Sequence, residues 1–319
     1  MKFVVLVLSA VLALGLRSAS ADEYPSRHIT LVVPLAAGSG TDAVARLVAA
    51  SLSDVLGAKI VVENKVGANG AIGSTSVARA APDGYTLLIG GTTTHAANMS
   101  LFKNVAYDPV RDFTPLGQLG VYPYALVVSG SSPYRSLADV LAEARAKPGT
   151  LSFAYAAALS QLSGELLRRR AKLDVAAVPY RVSPQAITDI LGGRVTMMFS
   201  DLPPAISQIG AGALRALAVT TQERTSLLPD VPTMKEAGFA GPRVEAWTGL
   251  FAPAGTPRPI VDKIAAAIAK VMANPELKAK IGAIGCEAKP MGPDAFGKHV
   301  AAEVALWAEL TKEAGIEPQ

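Results

Sequence analysis

The chain has 319 residues, half of them apolar, with a formal net charge of +4, three histidines and a single cysteine. That length allows about two domains with a well-filled core. One cysteine, Cys286, excludes an internal disulfide, and the modest charge, spread along the chain, argues against nucleic acid as a partner.

The N-terminus reads as a targeting segment. Lys2 precedes an apolar run from Phe3 to Leu16, and Arg17 then leads into Ala19-Ser20-Ala21. A charged start, a short apolar core and a small-residue cleavage site define a secretory signal. Residues 1–21 are therefore expected to be a signal peptide, with Asp22 opening a mature periplasmic protein. A membrane anchor, the alternative, would need about 20 apolar residues.

Strands and helices alternate from there. Ile29–Val33 is an apolar strand ending at Pro34. Val44, Leu47, Val48, Leu52, Val55 and Leu56 recur at helical spacing, with Thr41 or Asp42 as the expected cap and Gly57 as the stop. Lys59–Glu63 and Thr86–Ile89 read as the next strands, separated by a helical stretch that Gly67, Gly70 and Gly73 open. Further strands are expected at Tyr124–Val128, Leu151–Tyr155, Val175–Val178, Val195–Phe199, Leu214–Val219 and Val244–Phe251. Ser136 with Asp139 forms a capping box for a helix through Lys147, and Ser183-Pro184 starts another that Gly192-Gly193 ends. Two helices and a long one carrying Phe296, Val300, Val304, Trp307 and Leu310 on one face close the chain. Such alternation predicts parallel strands joined by right-handed crossovers.

Pro34-Leu35-Ala36-Ala37-Gly38-Ser39-Gly40-Thr41-Asp42 is the most informative segment. It leaves the C-terminal end of the first strand and enters a helix, the edge at which open α/β sheets bind ligands. First-turn amides lack partners inside the helix and the dipole favours an anion, so the segment predicts a carboxylate site without a fixed cation. A nucleotide reading competes, because Gly38 to Ala43 fits G-x-G-x-x-A and Glu63 ends the second strand. Against it stand the four residues Pro34 to Ala37 before the first glycine, the carboxylate of Asp42 and the export signal. His28, His95 and His299 have no metal-ligand spacing with one another or with Cys286, and no nucleophile elbow or phosphate loop is present. His95, after the third strand, is expected in a polar loop lining the pocket. No cofactor, metal or catalytic residue is expected.

Several ordered motifs carry a family likeness: Val62-Glu63-Asn64 followed by Gly67-Ala68-Asn69-Gly70, Pro82-Asp83-Gly84-Tyr85, Tyr107-Asp108-Pro109, Leu191-Gly192-Gly193, Pro229-Asp230-Val231-Pro232-Thr233 and Ala252-Pro253-Ala254-Gly255-Thr256-Pro257. Together with the Pro34–Asp42 loop they make the sequence resemble the Bug-type extracytoplasmic solute receptors of tripartite tricarboxylate transporters. The resemblance implies an α/β two-lobe periplasmic binding fold of Venus-flytrap type, with a mixed or parallel sheet in each lobe. Lobe 1 would comprise residues 22–121 and 248–319, and lobe 2 residues 122–247. It also implies a monomer that captures a small organic carboxylate by hinge closure and delivers it to a membrane permease, with no chemical step. An exported enzyme using the cleft, or a ligand sensor for a signalling receptor, are the alternatives.

Carried onto this chain, the resemblance places Leu35, Ala36, Gly38, Ser39, Thr41 and Asp42 around the ligand carboxylate, with Thr93, Thr94 and Asn98 from the loop after the third strand. From lobe 2 it places Tyr155, Ala157, Ala158, Ser160, Gln161, Tyr180, Arg181, Ser200 and Asp201. That wall departs from the family pattern. Gln161 stands where a histidine is usual, alanines replace small polar residues, and the acid after Met-Phe appears one place later, as Asp201. A less polar wall is expected to favour a monocarboxylate or aromatic acid over citrate-like ligands, unless Arg181 faces the cleft and pairs a second carboxylate.

Overall fold

A computed structural model describes residues 24–239 and 245–319; the expected signal peptide and the start at Asp22 lie outside them, as does Val244. Strand β1 (Ile29–Val33) is nearly fully buried, as five consecutive β-formers between two packed layers should be. It pairs in parallel with β2 (Ile60–Asn64) on one side and with β3 (Thr86–Gly91) on the other. Helix α1 (Gly40–Leu56) crosses from β1 to β2, burying Val44, Val48 and Leu52 and ending at the left-handed Gly57. A short 3-10 turn and helix α2 (Ala71–Ala78) lead to β3, and a helical segment containing a π-turn over Thr93–Ala97 continues into α3 (Asn98–Leu101).

The parallel expectation holds for these three strands and again for three strands of the second sheet, and fails at the strands that cross between the sheets. Strand β4 (Phe113–Tyr122) runs straight through Pro123 into β5 (Tyr124–Ser129), which belongs to a different sheet. The chain returns as β10 (Ala246–Pro253), antiparallel to both β3 and β4. Between these crossings lie α4 (Leu137–Ala146), β6 (Leu151–Tyr155), α5 (Ala158–Arg170), β7 (Val175–Pro179), α6 (Ser183–Leu191), β8 (Met197–Asp201), α7 (Leu202–Gly210) and β9 (Leu214–Val219). Their sheet has the order β7-β6-β8-β5-β9, parallel from β7 to β8 and antiparallel around β5. After β10 come α8 (Arg258–Ala273), α9 (Pro275–Ala283), β11 (Glu287–Met291) and α10 (Pro293–Ala314). The first sheet thus reads β11-β4-β10-β3-β1-β2. Both sheets are mixed because each takes in a strand that has just crossed from the other.

Helix α10 ties the two bodies together. Its first turns pack Phe296 and Val300 among Trp247 and Phe251, under the first sheet. Its last turns pack Trp307, Leu310 and Ala314 among Phe153, Leu162 and Leu166, under the second. The Arg170 guanidinium holds Glu313 through two hydrogen bonds of 2.6 Å. Among the described residues no helix is long and apolar enough to cross a membrane.

Candidate functional site

The first sheet presents the C-terminal ends of β1 and β3 to the second. At the end of β1, Ser39 rather than Thr41 or Asp42 caps α1: its Oγ accepts from the Asp42 amide at 3.2 Å. Ser39, Thr41 and Asp42 could each have capped by composition. Ser39 does so because its side chain stands three positions before a free amide, the spacing a cap requires.

Asp42 has a different task. Its carboxylate accepts from the Gly38 amide (2.9 Å), from Asn64 Nδ2 (2.9 Å) and from Arg46 Nε and Nη2 (3.0 Å each). Asn64 Nδ2 also donates to the Leu35 carbonyl at 3.1 Å. Burial works to raise the Asp42 carboxyl, but Arg46, the Gly38 amide and Asn64 together hold it below the ordinary carboxylate range. Gly38, left-handed at φ +81°, is exposed and its amide is occupied by Asp42, so neither residue borders the cleft. Both were expected around the ligand. Their carboxylate and amide instead satisfy each other and hold the loop in shape. The next amides, those of Gly40 and Thr41, are first-turn donors that the helix itself cannot use, and both residues face the cleft.

A second helix start lies beside the first. Gly90, Gly91, Thr92, Thr93 and Thr94 line the same cleft where β3 turns into the helical segment. Thr92 Oγ1 accepts from the Trp247 amide at 2.8 Å, and Thr94 Oγ1 accepts from the Gly91 amide at 3.2 Å, which fixes the turn. Gly91 fits because a Cβ there would stand 2.4 Å from the Trp247 carbonyl oxygen. His95 is not in the cleft. It is buried, stacked on Phe251 with ring centroids 4.0 Å apart, and burial pushes its imidazole down to about 3. Asn98 is likewise buried behind the turn, where it exchanges hydrogen bonds with Asn69.

The opposite wall comes from the crossing itself and from the start of α7: Tyr122, Tyr124, Asp201 and Pro203, with Ala246 and Trp247 at the return crossing. The cleft measures about 210 Å³, and among the described residues no Lys, Arg or His lines it. The Tyr122 hydroxyl is buried without a hydrogen-bond partner; Thr41 and the Cys286 thiol lie beside it without reaching bonding geometry. A buried, unsatisfied hydroxyl next to free helix amides leaves hydrogen-bonding capacity unused at the cleft.

The structure thus gathers Leu35, Ser39, Thr41, Thr93, Thr94 and Asp201 of the expected residues around one cleft. Tyr155, Ala157, Ala158, Gln161 and Tyr180 line a neighbouring cavity of about 550 Å³, together with Asn69, Phe102 and the C-terminal segment. Ser160 and Ser200 are buried and bonded to the carbonyls of Phe199 and Asp201. Ala36 and Arg181 are exposed and line neither space; Arg181 has no ion-pair partner among the described residues. Tyr122, Tyr124, Thr92, Pro203 and Trp247 were not anticipated. The two tyrosines flank Pro123, beside the expected lobe boundary after residue 121.

Two α/β bodies joined by crossing strands, with paired helix starts at the cleft between them, define a bilobal periplasmic binding protein. The chain belongs to the tripartite tricarboxylate transporter receptor family, whose model matches residues 44–316, and within it to the Bug-type receptors. It is 34% identical over 299 residues to BugT of Bordetella pertussis, covering 93% of this chain and 92% of that one. A Rhodopseudomonas palustris protein solved with adipate superposes with a TM-score of 0.82 at 37% identity, covering 93% of this chain and 100% of its own. MatC from the same organism, solved with bound malate, gives 0.76 at 35% identity over 90% of this chain and 99% of its own.

Proposed function

We propose that this protein is a periplasmic receptor that captures a small organic carboxylate between its lobes and delivers it to a membrane permease of the tripartite tricarboxylate type. The observation that carries the reading is the convergence of two helix starts, Gly40-Thr41 and Thr92-Thr93, on a cleft of about 210 Å³ that no basic side chain among the described residues lines. Anion binding there relies on oriented amides and helix dipoles. The adipate-bound and malate-bound relatives support an acid as ligand.

Capture works by hinge closure. Residues 22–121 and 248–319 supply the anion cradle and residues 122–247 the moving wall, with the bends at Pro123 and at the return into β10. Closing brings Tyr155, Gln161 and Tyr180 toward the cradle from the adjoining cavity. The protein acts as an exported monomer, released from residues 1–21, and performs no chemistry on its ligand. Differential scanning fluorimetry of the mature chain against mono-, di- and tricarboxylates and aromatic acids tests this. A ligand at about 100 times its Kd adds about 2.7 kcal/mol of stability, a clear rise in Tm. No rise with any acid would defeat the reading.

A further inference from the structure

Among the described residues, Asp201 is the one carboxyl on the cleft wall. It ends β8 and sits at the start of α7 without capping it; its Oδ1 instead accepts from Ser183 Oγ at 2.9 Å. Burial raises its carboxyl above the ordinary range, against the Ser183 hydrogen bond, which works to lower it. Among the described residues lining the cleft, none supplies a positive charge. Tyr122 and Tyr124 are buried and held neutral, and burial pushes the nearby Cys286 thiol up to about 12.

Asp201 also lies close to the anion cradle. Pro203, two residues further on, approaches to 3.5 Å from the point where a Cβ on Gly40 would stand, and the Tyr122 ring to 3.3 Å from the same point. The Tyr122 hydroxyl feels both Thr41 and Asp201. One small ligand therefore meets the Gly40 and Thr41 amides and the Asp201 carboxyl together. A bare carboxylate seated there faces a second carboxylate across a short gap, and like charges so close are costly. A ligand that carries an ammonium beside its carboxylate removes that cost and gains a charge-assisted hydrogen bond to Asp201.

We propose that Asp201 makes the cleft selective for a zwitterion, an α-amino acid whose carboxylate rests on the two helix starts while its ammonium pairs with Asp201. This rests on the carboxylate-receptor reading above and names the ligand class for the same cleft.

Calorimetric titration of the mature protein with three matched pairs tests it: L-alanine against propionate, L-aspartate against succinate, and L-phenylalanine against 3-phenylpropionate. In at least one pair the amino acid binds tighter by about tenfold or more, the usual weight of one hydrogen bond between charged groups. Asp201→Asn removes that ratio by weakening the amino acid and strengthening its partner. Should Asp201→Asn fail to fold, Ser183→Ala, which frees the carboxyl from its orienting bond and keeps its charge, lowers the ratio without reversing it. Acids that bind with no preference for the ammonium overturn the proposal and leave the receptor reading standing. A preference that survives Asp201→Asn also overturns it. Failure of all six compounds to bind also overturns the proposal, and the receptor reading is then decided by the wider acid screen.

Discussion

Replacing Asp42 with alanine tests whether the anion cradle is preorganised by a group that never touches the ligand. The substitution removes a carboxylate 3% exposed and strands its partners, the Gly38 amide and Asn64 Nδ2, each at 2.9 Å. Hydrogen bonds to a buried charge are worth about 1.5–3 kcal/mol each. The Arg46 contact adds little, since that side chain is half exposed and such pairs are screened. Shared partners make the losses less than additive, so the net cost is about 2–4 kcal/mol. In a chain of this size that lowers Tm by about 4–8 °C. Because Gly38 precedes the cap residue Ser39, loosening it also frees the Gly40 and Thr41 amides, and binding must then bear the cost of ordering them, about tenfold in Kd. Urea denaturation and calorimetry read the two effects separately, with Arg46→Ala as the near-neutral control. An Asp42→Ala protein that melts within about 1 °C of wild type and binds its ligand equally well would refute the reasoning.

His95 predicts acid sensitivity. Its imidazole is held neutral in the folded state and titrates near its ordinary value when unfolded, so stability is full above about pH 6.5 and falls as the pH drops toward about 3. Between pH 8 and pH 5 the loss is about 2 kcal/mol, measurable as a shift in urea midpoint that His95→Gln should largely abolish. Gly73 packs where a Cβ would lie 2.6 Å from the Lys65 carbonyl oxygen and 2.9 Å from Pro34. Gly73→Ala should therefore cost about 1–3 kcal/mol by overpacking and displace the start of the cradle loop; chemical denaturation and ligand affinity should both register it.

Elements whose local chemistry was self-sufficient could be read from the residues. Leu151–Tyr155 and Leu214–Val219 are apolar runs bounded by turn residues, and both form strands with those bounds. The Ser136–Asp139 capping box is present as expected. Strand β4 escaped notice because Pro115, Gly117, Gln118 and Gly120 interrupt its pattern, yet it lies inside the sheet, flanked by β10 and the edge strand β11. Strand β11 carries Lys289 and Pro290, residues that protect a sheet edge and disguise a strand.

The site divides in the same way. That the β1–α1 junction is the place to propose an anion cradle follows from glycine placement and helix physics alone. Which amides are free does not, because Asn64 comes from a strand 22 residues away from Asp42 and fixes where that carboxylate points. Tyr122 and Asp201 meet at the cleft only because β4 passes through Pro123 into the second sheet beside β8. No local spacing encodes that meeting.

The central claim is that backbone amides at the start of α1 hold the ligand's carboxylate, and a pair of substitutions at Gly40 isolates one of them. Proline is tolerated at the first helical position, and Ser39 already has the extended backbone that precedes a proline (φ −68°, ψ 159°). Gly40→Ala adds a Cβ and keeps the N–H; Gly40→Pro adds a Cβ at the same place and closes its ring back onto the nitrogen, which removes the N–H. Calorimetry of both against the tightest-binding acid found should show Gly40→Pro weaker than Gly40→Ala by about tenfold or more, with both proteins folded. Equal affinities for the two would mean that the α1 amides do not bind the anion, and the cradle would have to lie elsewhere.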